Sequence, residues 1–409
     1  MKLHNRILTC LASFPCLMPF ALAQDVTITN ARIIVGSGAV IENGSIVVRG
    51  GKITSVSAGK PASPAGRVID AKGKTAMPGF IDAHKHINTG PDEKGQMQSL
   101  LEAGYTTILA AGGPGDGTTA LRDHIESGMI SGPRVIPSER INLKGTPEEA
   151  RAAIRAMAAK GIKHTGEIAL TPEPGPPPHE IEVLKAVVDE AKKAGVQVNV
   201  HAVSTPAMVA ALDAGVTRLV QSLFGKCTSR EAAAEVASTN SIVLGLIAFG
   251  APIIDRESLA PVPVVFPRDN STRFRDGKPW PESIAGANRD DKGRAMGTEA
   301  GYTIVNARTI WDAGAGKTIG FCTDQNYADT VVLEHELKSY SIMFSMADIF
   351  RIMGPNTAEY LHMSDQIGTL EPGKLADIIL QDGNPLEGYW NMLKVKLVLK
   401  GGKIVVNKL

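Results

Sequence analysis

Two histidines separated by one residue, His84 and His86, form the strongest chemical signal in this 409-residue chain. They follow the apolar, strand-like pair Phe80-Ile81. Because side chains i and i+2 of an extended chain lie on the same face, both imidazoles can bind one ion. Imidazole nitrogen is a good ligand for zinc and other first-row metals. The spacing therefore predicts a metal site at the end of a strand.

Two further strand-like runs also end in residues that can bind a metal. Val198-Asn-Val leads into His201, and Thr318-Ile-Gly-Phe-Cys-Thr leads into Asp324. A (β/α)8 barrel places its active site at the carboxyl ends of its parallel strands. The separation of His84 from Asp324 suits the roughly 250 residues that such a barrel needs, if the two belong to its first and eighth strands.

The elements along the chain fall into three zones. Residues 24–76 and 364–409 are β-rich, and each zone carries a Gly-Gly-Lys-Ile hairpin pattern, so we expect them to form one small composite β-sandwich domain. Residues 77–363 alternate between strand-like and helix-like runs, which favours an α/β protein of the (β/α)8 TIM-barrel type. Within that zone, residues 252–294 interrupt the alternation with many Pro, Arg, Asp and Asn residues. They form either a lid over the active site, suited to a bulky or anionic substrate, or a surface insertion.

The chain resembles the amidohydrolase superfamily, and the likeness covers nearly all of the region after residue 24. It rests on three motifs: Pro78-Gly-Phe-Ile-Asp-Ala-His-Lys-His86, the late strand that ends in Thr323-Asp324, and Gly368-Thr-Leu-Glu-Pro-Gly-Lys-Leu-Ala-Asp377. The most similar subgroup contains exported imidazolonepropionase-like and Xaa-Pro dipeptidase-like hydrolases. The resemblance implies a (β/α)8 barrel, one or two divalent metal ions, most simply zinc, and hydrolysis by metal-activated water.

The resemblance also assigns roles to particular residues. His84 and His86 match the histidine pair of the first strand, and His201 matches the histidine of the fifth strand. Asp324 matches the aspartate of the eighth strand, which binds metal and transfers protons. The chemistry is consistent, because a metal lowers the pKa of bound water to about 7 and a nearby carboxylate can accept its proton.

Two positions depart from the family pattern. The fourth strand often supplies a carboxylated lysine that bridges two metals; here Glu167 supplies a carboxylate directly, with Lys163 as the alternative. Glu167 could instead only pair with a nearby lysine or arginine. Gln221 stands where the sixth strand usually has a histidine, so the second metal site is weak or empty, or Gln221 binds substrate. His164, on the same strand as Glu167, is a further candidate for the substrate site.

Composition and the N-terminus limit partners and location. The chain has 43 Lys and Arg against 42 Asp and Glu residues, so no strong field favours nucleic acid, and a small-molecule substrate is expected. Basic Lys2 and Arg6, an apolar run and Phe20-Ala-Leu-Ala23 predict a signal peptide over residues 1–23 and a periplasmic or secreted protein. That run is too short for a membrane span. A homo-oligomer is compatible with the sequence.

Three functions remain open at this stage. The first is cleavage of an amide or peptide-like C–N bond, with Asp324 as general base and acid. The second is hydrolysis of a cyclic amide, lactone or carbamate, or deamination, on the same fold. The third is a catalytically silent binding protein, which the missing sixth-strand histidine supports and the four retained ligands oppose.

Overall fold

A computed structural model describes residues 24–87, 89–90, 92–111, 115–221, 227–248, 296–324 and 329–409. The predicted signal peptide and the 252–294 insertion lie outside these residues. In chain order the strands are β1 Val26–Ile34, β2 Val40–Arg49, β3 Lys52–Ala58, β4 Arg67–Asp70, β5 Thr75–Pro78, β6 Phe80–His86, β7 Tyr105–Ala111, β8 Arg134–Ile136, β9 Ser138–Glu139, β10 His164–Ala169, β11 Gln197–His201, β12 Arg218–Val220, β13 Ile242–Gly245, β14 Ile319–Phe321, β15 Ile378–Gln381, β16 Val395–Lys400 and β17 Lys403–Asn407.

The helices lie mostly between the later strands. They are α1 Glu93–Ala103, α2 Gly115–Glu126, α3 Pro147–Ala159, α4 Pro178–Ala194, α5 Thr205–Asp213, α6 Arg230–Ser238, α7 Met296–Ala313, α8 Asp329–Tyr340, α9 Met346–Arg351 and α10 Thr357–Tyr360. A π-helical turn, Ile352–Asn356, joins the last two, and 3₁₀ turns cover Pro385–Glu387 and Tyr389–Asn391. In the ranges given above, no helix has the length and apolar character that crossing a membrane requires.

One eight-stranded sheet combines strands from both ends of the chain. Its order is β17-β16-β15-β5-β1-β2-β3, and β4 pairs with β1. Strands β5 and β15 join the two ends in an antiparallel pair that places Ile378 opposite Pro78. One face buries an apolar cluster that includes Ile28, Ile46 and Leu397. Each such side chain contributes roughly 1.5–3 kcal/mol relative to exposure.

The two Gly-Gly hairpins of this sheet contact each other. Gly50 and Gly51 connect β2 to β3, and Gly401 and Gly402 connect β16 to β17; all four have positive φ, as the tight two-residue hairpin turn requires. A Cβ on Gly402 would lie 2.8 Å from the Gly51 Cα. Ala376 lies between the hairpins, since its N–H donates to the Gly51 carbonyl and its carbonyl accepts from the Gly402 N–H.

The middle of the chain forms two parallel sheets, in the orders β14-β13-β12-β11-β10-β9 and β6-β7-β8. Their strands alternate with helices, which confirms the predicted mixed α/β class. Asp82 joins the edges of the two sheets: its Oδ1 accepts from the Thr323 N–H at 3.2 Å and its Oδ2 from the Thr323 hydroxyl at 2.6 Å. The Asp324 N–H also donates to the His84 carbonyl at 2.9 Å. The ends of β6 and β14 are therefore adjacent.

Local sequence signals fix the helix boundaries around these strands. Thr146 and Glu149 form a reciprocal capping box at the start of α3, with Pro147 in the first turn. Helix α4 ends at Gly195, which has the left-handed conformation that glycine favours. Helix α5 is capped by the Ser204 hydroxyl, which accepts from the Ala207 N–H.

Candidate metal centre

Four potential metal ligands converge where the parallel strands end. The ligand atoms of His84, His86, Glu167 and Asp324 all lie within 4.8 Å of one another. The histidines are on β6, Glu167 is on β10, and Asp324 follows β14. Residues more than 200 positions apart thus meet because parallel strands present their carboxyl ends at one edge.

The imidazole nitrogens of the histidines face carboxylate oxygens, at distances that two ligands of one metal ion can have. Asp324 Oδ1 lies 3.1 Å from His84 Nε2 and 3.0 Å from His86 Nε2. Glu167 Oε2 lies 3.5 Å from His84 Nε2, and Glu167 Oε1 lies 3.7 Å from His86 Nε2. His201, at the end of β11, places its Nδ1 3.3 Å from Glu167 Oε2. Both carboxylates therefore face the same group of imidazoles.

Three of these buried atoms make no hydrogen bond: His84 Nε2, His201 Nδ1 and Asp324 Oδ1. A buried polar atom without a partner is costly, so the arrangement requires a further group. A divalent cation at the four-residue cluster would accept lone pairs from His84 Nε2 and Asp324 Oδ1, whereas His201 lies outside the group of ligand atoms within 4.8 Å of one another and faces Glu167 Oε2. Imidazole nitrogens with carboxylate oxygens are a donor set that suits zinc and related metals. The residues present therefore fit a divalent metal ion.

The electrostatics of the cluster also favour a cation. Burial raises the pKa of Glu167, but the contact with His201 and the charge of His84 outweigh it and lower the pKa to about 2. Burial likewise opposes ionisation of Asp324, yet His84 and His86 hold its pKa well below the usual range. Burial lowers the pKa of His86, but Asp324 more than compensates, so that its pKa is raised. Both carboxylates remain ionised at neutral pH.

Asp82 forms hydrogen bonds to the residues that carry the ligands, a role that the sequence analysis did not assign to it. Its Oδ1 accepts from the His84 N–H at 3.2 Å as well as from Thr323. Lys85, between the two histidines, is fully buried and donates from Nζ to the Thr323 hydroxyl at 3.2 Å. Burial raises the pKa of Asp82, and the positive charge of Lys85 opposes that shift. This network fixes the backbone that carries His84 and Asp324.

Gln221 contacts Asp324. Its Nε2 donates to Asp324 Oδ2 at 3.0 Å, so one carboxylate oxygen is held by the amide while the other faces the histidines. Gln221 and Asp324 both have left-handed backbone conformations, with φ of 68° and 58°. For residues other than glycine this conformation costs on the order of 1 kcal/mol and concentrates at functional sites. The sequence predicted Gln221 at this strand end without its contact to Asp324.

Arg140 is a second residue that the sequence analysis missed. It directly follows β9, and its Nη2 lies 2.7 Å from Glu167 Oε1. Gly166 permits this approach, because a Cβ there would lie 3.1 Å from the Arg140 Cγ. Its position at a strand end was the available signal, since such positions supply active-site residues in parallel barrels.

The structure does not bring His164 or Lys163 to the cluster. Both line a separate cavity at the amino-terminal ends of β10 and β11, together with Gln197 and His362. Burial, with the nearby His362 and Arg218, lowers the pKa of His164 to about 4, so its ring is neutral. Of the two alternatives for the fourth strand, Glu167 is the one that contacts the histidines.

Comparison with known proteins identifies the family. Residues 75–405 match the amidohydrolase family, and the chain belongs to that family. This confirms the resemblance carried by the sequence motifs.

Individual relatives match over most of the chain. An imidazolonepropionase of Geobacillus thermodenitrificans is 26% identical over 90% of this chain and 91% of its own length. An adenine deaminase of Desulforamulus reducens is 23% identical over 93% of this chain, which spans only 58% of that protein. The crystal structure of a Xaa-Pro dipeptidase with bound methionine in its active site has a TM-score of 0.74, at 22% identity, covering 94% of this chain and all of that one. That likeness concerns the fold.

Proposed function

We propose that the protein is a metal-dependent hydrolase that uses metal-activated water to cleave an amide or peptide-like C–N bond. The observation that carries the proposal is the convergence of His84, His86, Glu167 and Asp324 within 4.8 Å. Membership of the amidohydrolase family supports it. A bound divalent ion, most simply zinc, would lower the pKa of a coordinated water to about 7 and polarise the substrate carbonyl.

The chain's own residues offer metal ligands, and one of these ligands, Asp324, would also carry protons. His84, His86 and His201 offer imidazole nitrogens, and Glu167 offers two oxygens that could be shared between two ions. Asp324 would accept the proton of the attacking water and pass it to the leaving nitrogen. Its Oδ1 is buried and faces the histidines, while its Oδ2 accepts a hydrogen bond from Gln221 Nε2. Asp324 is ionised at neutral pH, as a proton acceptor must be.

The proposal includes a finer architecture. Residues 77–363 would form one (β/α)8 barrel, and residues 24–76 and 364–409 a small β domain. The links from Asp82 to Thr323 and from Asp324 to His84 support closure between the first and eighth strands. Pairing of β5 with β15 supports a shared domain of the two chain ends.

The test is metal content per chain by elemental analysis of the purified protein, together with hydrolysis of a panel of dipeptides and N-acyl amino acids. His362→Asn is a matched control, because His362 is exposed, lies at the other end of the strands, and has a φ of 54° that asparagine tolerates. We expect the control to retain metal and His84→Asn to lose it.

Each stoichiometry has a distinct meaning. Two ions per chain would support Glu167 as a bridge despite Gln221 at the sixth strand, and one ion would support a mononuclear enzyme. Absence of metal after adding zinc or manganese would overturn the hydrolase and favour a binding protein. Turnover of cyclic amides or aminopurines instead of the panel would favour the cyclic-amide or deaminase alternative, which the names of the relatives suggest.

We also propose export to the periplasm or cell exterior. The basic start, apolar run and Phe20-Ala-Leu-Ala23 pattern support it. Fractionation of the producing cell, with sequencing of the mature N-terminus, tests it; a cytoplasmic protein that begins at Met1 would contradict it.

A further inference from the structure

A second cavity, of about 460 Å³, lies at the amino-terminal ends of β10 and β11, at the opposite end of these strands from the metal-centre candidate. The start of β10, the last turn of α4 and the residues after α10 surround it. Part of its wall is apolar and comes from Ala191, Val196 and Leu361. The volume lies within the range of small-molecule sites, which combine apolar walls with a few polar groups. A ligand in this cavity would therefore occupy a site separate from the four-residue cluster.

The charged side chains that line the cavity are basic. Lys163 and Lys192 are exposed, and neither forms an ion pair with the residues that the structure describes. No Asp or Glu is among the described residues of the lining. Lys193, in the same turn of α4 as Lys192, is by contrast paired with Asp189 at 2.8 Å. The carboxyl end of α4 contributes about half a negative charge here, which the two unpaired lysines outweigh. The cavity is therefore cationic.

Arg218 adds a fixed positive charge behind the cavity. Its guanidinium is buried and donates to three backbone carbonyls, at 3.1, 3.1 and 3.2 Å. The carboxylate that pairs with it, Glu359, lies 3.6 Å from Nη2 and is 52% exposed, so that it compensates the charge weakly. Burial is the main cause that lowers the pKa of His164 and of His362, and the charge of Arg218 acts in the same direction on both. Both imidazoles therefore lie in a positive field.

His164 lies in the wall of this cavity without a hydrogen bond. Its exposed fraction is 6%, its Nδ1 is buried, and no described residue forms a hydrogen bond with the ring. Because Nδ1 is out of reach, the Nε2 edge is the one that a ligand in the cavity contacts. The ring is neutral and carries one N–H, which at Nε2 would donate to an anion. Since a buried polar ring without a partner is costly, an anionic ligand would stabilise it.

We propose that this cavity binds a phosphate group, either free phosphate or a phosphate carried by a small molecule. Lys163 and Lys192 would supply positive charge, and His164 would supply a donor at Nε2. Lysine is a frequent phosphate ligand, and a dianion gains more than a carboxylate does from two ammonium groups. The apolar wall would hold the organic part of a phosphorylated molecule. The site is independent of the proposed hydrolytic function, because none of the residues of the four-residue cluster lines it.

Calorimetry with the metal-loaded full-length protein tests the proposal at about pH 7.5, where a phosphate group carries nearly two negative charges. The probes are inorganic phosphate, phenyl phosphate and benzoate. We expect phenyl phosphate to bind at least about tenfold more tightly than benzoate, because of its second charge. Tighter binding of phenyl phosphate than of inorganic phosphate would support a phosphorylated small molecule as the ligand, and the reverse order would support free phosphate.

Variants locate the binding site. Lys163→Gln and Lys192→Gln should each weaken phosphate binding roughly fivefold, the upper end of the range for an exposed charge. His164→Phe keeps an aromatic ring but loses the N–H, and it should weaken binding about tenfold. Lys193→Gln is the matched control, because it removes the same charge from the same turn of α4 outside the cavity, and it should bind phosphate as the native protein does.

Four results would overturn the proposal. The first is that neither phosphate binds at millimolar concentration, and the second is that benzoate binds as tightly as phenyl phosphate. The third is equal weakening by Lys193→Gln and the two cavity variants, which would indicate general attraction to surface lysines. The fourth is binding that is lost in His84→Asn but kept when Lys163 and Lys192 are both replaced, which would place the anion at the metal centre. The lysine variants keep the test valid if His164→Phe fails to fold, because both lysines are exposed.

Discussion

Removal of the Asp82 carboxylate should destabilise the protein and weaken the metal centre together. The carboxylate accepts three hydrogen bonds, from the N–H groups of His84 and Thr323 and from the Thr323 hydroxyl, and it is fully buried. In Asp82→Ala these three donors lose their acceptor, at about 1–2 kcal/mol each, and a negative charge near buried Lys85 is removed. We expect the free energy of unfolding to fall by roughly 3–6 kcal/mol.

Asp82→Asn separates the loss of hydrogen bonds from the loss of charge. Asparagine keeps one acceptor oxygen for the two N–H groups but removes the negative charge beside Lys85. We therefore expect about half of the destabilisation of the alanine variant. Because the same groups fix the backbone of His84 and Asp324, zinc affinity should fall at least about tenfold in both variants.

Urea unfolding and competitive zinc titration of the native protein and both variants measure these effects. Asp382→Asn is the control, since Asp382 is partly exposed and forms surface ion pairs with Lys74 and Lys396. Unfolding of Asp82→Ala within about 1 kcal/mol of the native protein, with native zinc affinity, would refute the reasoning that this network supports the site.

Three further perturbations test other parts of the structure. Gln221→Leu removes the hydrogen-bond donor to the Asp324 carboxylate, so kcat should fall about 10- to 100-fold while the metal content is retained. A native kcat in this variant would show that the contact does not position the carboxylate. Because the pKa of His86 is raised, protons should begin to compete with zinc at a higher pH than they do at an ordinary histidine. Zinc titrations from pH 8 to pH 5 should therefore show that the affinity falls as the pH decreases. A zinc affinity that stays constant over that range would contradict this expectation. Gly402→Ala should lower the free energy of unfolding by about 2–3 kcal/mol, since the added Cβ meets the facing hairpin. Gly401→Ala, which has open space around it, should lower it by only about 1 kcal/mol. Equal losses of the two variants in urea unfolding would show that the hairpins do not pack closely.

The sequence determined the parts of the site that depend on local geometry. The i, i+2 spacing of His84 and His86 places both imidazoles on one face of β6 wherever that strand lies in the fold. The strand-like runs that end at His201 and Asp324 predicted ligands at strand ends, because alternation of strands and helices implies a parallel sheet. The Gly-Gly turns and the capping box at Thr146 also depend on local geometry alone, since each is set by the backbone conformation within four residues.

Only the tertiary structure decided which strand ends meet and which side chains reach the cluster. His164 and Glu167 share β10, but the pairing of β10 with β11 is irregular between them, and His164 faces a different cavity. The link from Asp82 to Thr323 joins residues 241 positions apart, which no local pattern can indicate. Contacts of Arg140 with Glu167 and of Gln221 with Asp324 depend likewise on strand order and register. The sequence thus specified ligand types and their local spacing, while long-range packing fixed their partners, because side-chain direction at a strand end depends on its neighbouring strands.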